Sequence, residues 1–482
     1  MTNSHTNPAA AAVQALPEEL RGRILIAGAG MSGLGCARLL AALGADLTVA
    51  DDNAQHVAQL PAGVPSMTTA EAQGAAATFD IVVTSPGWRP DSPLLVAAAH
   101  AGIPVIGDVE LAYRLDRHQV FGSPRTWLVV TGTNGKTTTT GMLASIMAAD
   151  AARTGKRALA VGNIGVSVYD ALADTERVDV LVAELSSFQL HWSSELTPDV
   201  GVLLNLADDH LDWHGSFEAY ALAKAKVLSG ANAVVGRDDE FVREYTDRMR
   251  AAGLVAPRVV GFTAQHPAVD EVGVDSGRLV STLDGSPEPL CSVDGIEPAG
   301  ISGVLDAAAA AAAALLAGAL PESVAAGLSS YRVAGHRGAV VHEHAGVRYV
   351  DNSKATNPHA ADAALAGLDS VVWVAGGQLK GAHVDQLIED HAPRLKAAVL
   401  LGVDRRILAD ALAALAPQVP VTVIDETDPE AAMDAAVAAA VQHAGAGDTV
   451  LLAPAAASLD MYPGMGVRGD MFAAAARAQA HD

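Results

Sequence analysis

The stretch VVTGTNGKTTTTG, residues 129–141, holds the residue types of a phosphate site: glycines, a lysine and a run of hydroxyls directly after an apolar segment. A phosphate loop reads G-x-x-x-x-G-K-[ST], with backbone N–H groups cradling the phosphates, the lysine reaching the outer ones and the hydroxyl meeting Mg2+. Gly135, Lys136 and Thr137 supply its second half. Val130 stands where the first glycine belongs and the nearest glycine is Gly132, so the loop is two residues short. Further on, Glu184 ends the apolar run DVLVAE, where strand-end carboxylates hold Mg2+ in nucleotide-binding folds. LADDHLDWH sets His210 among Asp208, Asp209 and Asp212, and Tyr220 and Lys224 fall one turn apart on the helix that follows. Singly, an acidic loop with a histidine reads as a solvated loop and Lys224 as a surface lysine. Together they point to metal-assisted phosphoryl chemistry.

These residues need strands and helices to hold them. TWLVV reads as a buried strand and TTTTGMLASIMAA as a helix whose N-terminus faces the anion. Earlier, a β-run over Ile24 to Ala27 leads into Gly28-x-Gly30-x-x-Gly33, a helix to about Leu43, and a second strand ending at Asp51 and Asp52, an acid 18 residues after Gly33. That βαβ unit suits an NAD site, yet its glycines would let any nucleotide diphosphate approach the backbone. DIVVTSPGW puts Ser85 and Gly87 at the carboxyl end of the next strand, where ligands sit in such folds. Strand–loop–helix segments continue through GNIG, with Asn163, and ELSSFQL. The stretch 263–300 is rich in Gly, Pro and Asp and reads as short strands and loops, before an Ala-rich helix. A new series starts near SYRVAGHRGAVV. The expectation is three consecutive α/β domains: an N-terminal Rossmann-like domain over 1–122, a central P-loop-type ATPase domain over 123–332 and a C-terminal Rossmann-like domain over 333–482.

Composition limits the partners. The 482-residue chain exceeds what one core serves. Its net charge of −24 argues against nucleic acid, which calls for clustered Lys and Arg. Two cysteines, Cys36 and Cys291, give neither a disulfide framework nor a metal pair and read as core thiols of a reducing cytoplasm. The first twenty residues lack a basic start and a bulky apolar stretch and read as a polar lead-in, not a signal peptide. The longest apolar run, Ala307 to Leu320, is 14 residues and mostly alanine, too short for a membrane span. No membrane insertion and a monomer are expected.

The segments TGTNGKTT, GNIG, ELSSFQL, DHLDWHGSFEAYALAK, GHRGAVV, VDNSKATNP and LLAPAAASLDMYPGMGVRG occur in this order between Gly28 and Arg468 and resemble the Mur ligases. ELSSFQL and DNSKATN are the most specific and resemble the member that adds D-glutamate. The resemblance implies a cytoplasmic ligase of peptidoglycan precursor synthesis that uses ATP to join D-glutamate to UDP-N-acetylmuramoyl-L-alanine through an acyl phosphate. It implies that Ser32, Gly33, Asp51, Asp52, Ser85, Gly87, Asn163 and His210 meet the UDP substrate. ATP would lie on Gly132, Thr133, Asn134, Gly135, Lys136, Thr137 and Thr138, with Arg337, Asp351 and Lys354. Thr356, Lys380 and Ser458 would take D-glutamate. Thr137 and Glu184 would hold one Mg2+, and His210 with Lys224 a second. Lys136, His210, Lys224 and Arg337 form the implied catalytic set. An ammonium cannot ligate a cation, so Lys224 is implied to be carbamylated by CO2, while Lys226 reads as an ordinary surface lysine.

Two departures stand out. Where the family often has G-x-H-N-x-x-N this chain has SGVLDAAA, which leaves adenine contacts open there, and Met465 stands seven residues after Ser458 where an aromatic is common. His336 is one candidate for the base that deprotonates the amine. Two other enzymes fit parts of the pattern: an NAD-dependent oxidoreductase, which leaves Lys136, Glu184 and DNSKATN unused, and a folylpolyglutamate-type ligase, which would not need the N-terminal βαβ unit.

Overall fold

The computed structural model describes residues 16–479 apart from Ala334 and Gly367; the polar lead-in up to residue 15 lies outside the described residues. Three sheets follow one another along the chain. The first is all parallel. Arg23–Ala27 lies between Asp46–Ala50 and Ile81–Thr84, with Ser66–Met67 and Val105–Gly107 at the edges. Its central strand is apolar on both faces, as a strand covered by helices on each side must be.

The second sheet has nine strands. Thr126–Thr131 runs parallel between Val180–Glu184 and Val200–Leu203, so the phosphate loop and Glu184 leave neighbouring strands at the same end. The irregular stretch after residue 263 completes this sheet: Glu271–Asp275, Arg278–Ser281 and Glu288–Ser292 form an antiparallel extension. The Ala-rich run is a helix, Ile301–Leu316, and Ala307 to Ala314 are each 0% exposed. Small side chains let a helix be buried on all its faces without leaving polar groups inside. Helix Pro321–Ser330 then packs on helix Lys136–Thr154 so closely that a Cβ on Gly327 would stand 2.3 Å from Ile146 Cα.

The third sheet has the strand starting at Val371 at its centre, between Thr449–Leu452 and Leu395–Leu401, with an antiparallel edge hairpin, Ala339–His344 and Val347–Asp351. The fold is thus the expected series of three α/β layers. By contacts the chain divides into two compact units: 1–294 with 305–331, and 295–304 with 332–482. Among the described residues no helix is long and apolar enough to cross a membrane. Cys36 is buried against the Tyr169 hydroxyl at 3.1 Å and Cys291 is half-buried; both are free thiols.

Candidate active site

In the first unit the phosphate loop is a turn held from several sides. Gly135 starts the helix with φ +80°, the left-handed region that glycine adopts without strain. Asn205 Oδ1 accepts from Asn134 N at 2.8 Å, and the Thr133 hydroxyl, 2.8 Å from Tyr220 Oη, accepts from Ala207 N at 2.9 Å. Lys136 Nζ donates to the carbonyls of Gly132 and Thr133 at 2.9 and 2.7 Å. Lys224 Nζ donates to the same Gly132 carbonyl at 2.7 Å and lies 3.4 Å from Thr131 Oγ1. Two lysines 88 positions apart therefore share one acceptor. The Thr137 hydroxyl donates to Glu184 Oε2 at 2.6 Å, which places the hydroxyl and the strand-end acid side by side. Thr138, next on the helix, is buried.

Lys224 is 2% exposed, and its ammonium lies 4.9 Å from the centre of the Tyr220 ring. Burial, reinforced by the charge of Lys136, holds its pKa well below the usual lysine range, against the pull of Asp209 and Glu184. His210 has φ +52° at the start of the short helix Leu211–His214 and packs edge-on against Phe188. Burial lowers its pKa, with Asp209 opposing and Lys224 and Lys136 adding to the shift, which favours the neutral imidazole a metal ligand requires. Asn163 is exposed in the GNIG turn, and its backbone N–H donates to the Glu184 carbonyl at 3.1 Å. Lys226 differs from its expected role as a surface lysine. Its Nζ donates to the carbonyls of Leu190, His191 and Ser193 at 3.0, 2.9 and 2.8 Å, so it caps the end of the helix in ELSSFQL.

The departure at SGVLDAAA also has a structural role. Asp306 is 8% exposed, accepts from Thr139 Oγ1 at 3.0 Å, and has Oδ1 2.3 Å from where a Cβ on Gly135 would stand. Its carboxylate braces the phosphate loop from behind.

Around the glycine fingerprint, Gly33 approaches the Gly28 carbonyl so closely that a Cβ would stand 1.8 Å away. Asp51 accepts from Ala29 N at 2.6 Å and Asn53 N at 2.7 Å, and Asp52 accepts from Thr69 N and Oγ1 at 2.9 and 2.5 Å. Both carboxylates therefore tie the end of the second strand to neighbouring loops, Asp51 to the glycine turn and Asp52 to Thr69. Asp108 is buried at the start of helix Asp108–Arg117, its Oδ1 has no hydrogen-bond partner among the described residues, and burial pushes the carboxyl up to about 6, with Ser32 and Gln189 opposing that rise. Gly87 is exposed next to the buried Ser85 hydroxyl. Arg89 Nη1 donates to the Asp212 carbonyl at 2.8 Å, linking this loop to DHLDWH.

In the second unit, Thr356, Lys380 and Ser458 lie on loops that leave the carboxyl ends of three strands. Gln378 and Ala457 pair through backbone bonds of 2.8 and 2.9 Å. Arg468, 1% exposed, draws the loops together: Nε and Nη2 donate to Ser353 Oγ and O at 2.9 and 2.8 Å, and Nη1 donates to Ala456 O at 3.1 Å and Gly376 O at 3.4 Å. Burial lowers its pKa to about 10, still charged at neutral pH. Asp351 is 1% exposed; it bonds His336 Nδ1 at 2.6 Å and accepts from Ser353 N, so a ribose contact would compete with both. Gly469 has no room for a side chain, since a Cβ would stand 2.1 Å from His336 Nδ1. Arg337 follows His336 in the turn, Lys354 is exposed with its N–H on the His336 carbonyl, and Met465 accepts from Ser353 Oγ at 2.7 Å.

In the sequence Arg468 stands only at the end of a motif, and no local spacing marks the clamp it forms. Arg468→Ala is expected to destabilise the second unit by roughly 3–5 kcal/mol, because it leaves several buried acceptors without a donor and opens a cavity where the side chain was. Arg468→Lys should recover little of it, since one ammonium cannot span acceptors on three loops. Chemical denaturation measures both, and a loss below about 1 kcal/mol for the alanine variant would show that the loops hold without the clamp.

The chain matches three family models in succession: the N-terminal domain of MurD-like Mur ligases over residues 22–107, the Mur ligase middle domain over 130–286 and the Mur ligase glutamate ligase domain over 336–456. This chain belongs to the Mur ligase family. A UDP-N-acetylmuramoylalanine--D-glutamate ligase of Corynebacterium diphtheriae is 57% identical over 98% of both chains, and one of Corynebacterium efficiens is 55% identical over 95% of both. Among solved structures, MurF from Acinetobacter baumannii superposes with a TM-score of 0.60 at 17% identity, over 96% of this chain and 98% of that one. At that identity the likeness shows the Mur ligase fold alone. The match over residues 22–107 gives the N-terminal βαβ unit a place in a Mur ligase, whereas a folylpolyglutamate-type ligase would not need that unit and an oxidoreductase would leave Lys136 and Glu184 unused.

Proposed function

We propose that this Mur ligase joins D-glutamate to UDP-N-acetylmuramoyl-L-alanine in an ATP-dependent reaction of peptidoglycan precursor synthesis, as a cytoplasmic monomer. The observation that carries the reading is the convergence of Lys136 and Lys224 on the Gly132 carbonyl beside the Thr137–Glu184 pair. That arrangement puts one phosphate-reaching cation, a hydroxyl and a carboxylate around one loop, the parts that phosphoryl-transfer sites share, with the Lys224 nitrogen beside them.

The alanyl carboxylate attacks the γ-phosphorus of ATP and ADP leaves; the D-glutamate amine then displaces phosphate from the acyl phosphate, losing a proton as the amide forms. Lys136 contacts the β- and γ-phosphates and offsets the charge that grows on the transferring oxygens. Loop amides of Gly132, Thr133, Asn134 and Gly135 and the hydroxyls of Thr137 and Thr138 orient the phosphates. A hydroxyl next to a carboxylate suits Mg2+, which is bound through one or two protein oxygens with phosphate and water completing its shell. Among the described residues no three His, Cys, Asp or Glu side chains are grouped to hold a metal. Two Mg2+ ions are proposed, one on Thr137 and Glu184 and one on His210 and carbamylated Lys224, where bound ions would neutralise phosphoryl charge.

The depressed pKa of Lys224 supports the carbamate, because CO2 reacts with the neutral amine: the nitrogen forms a bond to carbon, and a proton is released. Ser32, Gly33, Asp51, Asp52, Ser85, Gly87, Asn163 and His210 are read as UDP-substrate contacts. In the second unit, Arg337, Asp351 and Lys354 are read as ATP contacts and Thr356, Lys380 and Ser458 as D-glutamate contacts. The Asp351 carboxylate also orients His336, so that Nε2 faces away from it. The domain boundaries are read at 122/123 and 332/333, in the segments that separate strand Val105–Gly107 from Thr126–Thr131 and strand Glu288–Ser292 from Ala339–His344.

The test is phosphate release with UDP-N-acetylmuramoyl-L-alanine and ATP, comparing D-glutamate with L-glutamate and other amino acids. Release that depends on D-glutamate is expected. Equal rates with all amino acids, or none with any, would overturn the reading.

A further inference from the structure

A cavity of about 590 Å3 beside the glycine fingerprint is lined by Asp51, Asp52, Asn53, His56, Thr69 and Trp88. Its acidic wall suits the donors of a base and a ribose and repels phosphate. The phosphates of a nucleotide held here must therefore lie away from that wall, on the Gly28 turn and the start of helix Met31–Ala42, where backbone N–H groups face an anion. Trp88 is the one side chain placed at both ends. It lines the cavity, and its indole nitrogen comes 2.8 Å from where a Cβ on Gly28 would stand. Ser85 Oγ comes within 3.1 Å of the same point and is buried with no hydrogen-bond partner among the described residues. A polar ligand atom over Gly28 would meet both groups. The Trp88 carbonyl also accepts from Trp192 Nε1 at 3.4 Å, a contact that a side-chain substitution leaves in place.

We propose that Trp88 is a specificity-determining residue of the nucleotide pocket: its ring forms a wall for the base, and its indole N–H, over Gly28, donates to the diphosphate. This rests on the UDP-substrate reading above. Aromatic stacking with a base tolerates many ring orientations, whereas the indole donor demands that the diphosphate begin at one distance from the base. The pair therefore selects a nucleoside diphosphate over a monophosphate.

Calorimetric titration with UDP and with UMP, using the full chain and its Trp88→Phe and Trp88→Leu variants, tests the proposal. The wild type is expected to bind UDP more tightly than UMP. Trp88→Leu should weaken UDP roughly 10-fold or more through the lost stack. Trp88→Phe keeps an aromatic face and should lose mainly the preference for UDP over UMP. In turnover, each variant should raise KM for UDP-N-acetylmuramoyl-L-alanine more than it lowers kcat. Unchanged UDP affinity in a folded Trp88→Leu variant would overturn the proposal, and Trp88→Phe decides the matter if the leucine variant does not fold. A wild type that binds no UDP overturns it as well. A wild type that binds UDP with the expected loss in the variants, yet releases no phosphate, leaves Trp88 standing and sinks the ligase reading.

Discussion

Lys224→Ala is expected to lower kcat by roughly a thousandfold or more, and a small carboxylate such as acetate to restore part of it. The proposed role of Lys224 lies in the negative oxygens of its carbamate, not in its native positive charge. An alanine leaves a space beside Gly132 and Thr131, where Lys224 Nζ is now held at 2.7 and 3.4 Å, and acetate brings an anion into that space. Formate should differ from acetate by fit, chloride should do nothing, and methylammonium should fail, because it restores the wrong sign. The wild-type rate should also fall in CO2-depleted buffer and recover with bicarbonate. The sign of the pKa shift matters here: a lysine held below its usual range is more often neutral near pH 7, so the carbamate forms more readily than on an exposed lysine. Methylammonium rescuing better than acetate, or an unmodified ammonium in the active enzyme, would make Lys224 a direct phosphate-binding cation.

Lys136→Ala should reduce phosphate release by several orders of magnitude while the fold persists. Removing a cation from a developing phosphoryl charge costs about 3 kcal/mol or more, which is a factor of a hundred at least. The structural cost is smaller. Lys136 is half-buried and its two bonds go to loop carbonyls at 2.9 and 2.7 Å, so their loss is worth about 1–3 kcal/mol. Thermal unfolding separates the two effects, since activity should vanish at temperatures where the variant is still folded. Lys136→Arg should not substitute, because a planar guanidinium cannot sit between the Gly132 and Thr133 carbonyls as a compact ammonium does. A variant with half the wild-type rate would remove Lys136 from the chemistry.

The sequence by itself determined what depends on short spacings. The alternation of apolar strands with helical segments implied three α/β layers, because buried parallel strands must be apolar and each must be followed by a crossover helix. The glycine fingerprint, the loop ending in Gly135, Lys136 and Thr137, and Glu184 at a strand end were legible for the same reason: each is a local pattern whose geometry follows from a few consecutive dihedral angles. Tertiary structure alone decided the contacts between distant residues. Asp306 reaches Thr139 across 167 positions and Arg468 reaches Ser353 across 115, and no periodicity marks such pairs. The same is true of Lys226, read as a surface lysine and found capping the helix in ELSSFQL, and of Trp88 above Gly28. Side chains of this kind take their roles from which loops the packed sheets bring together, and packing depends on the shapes of whole layers instead of the spacing within any one segment.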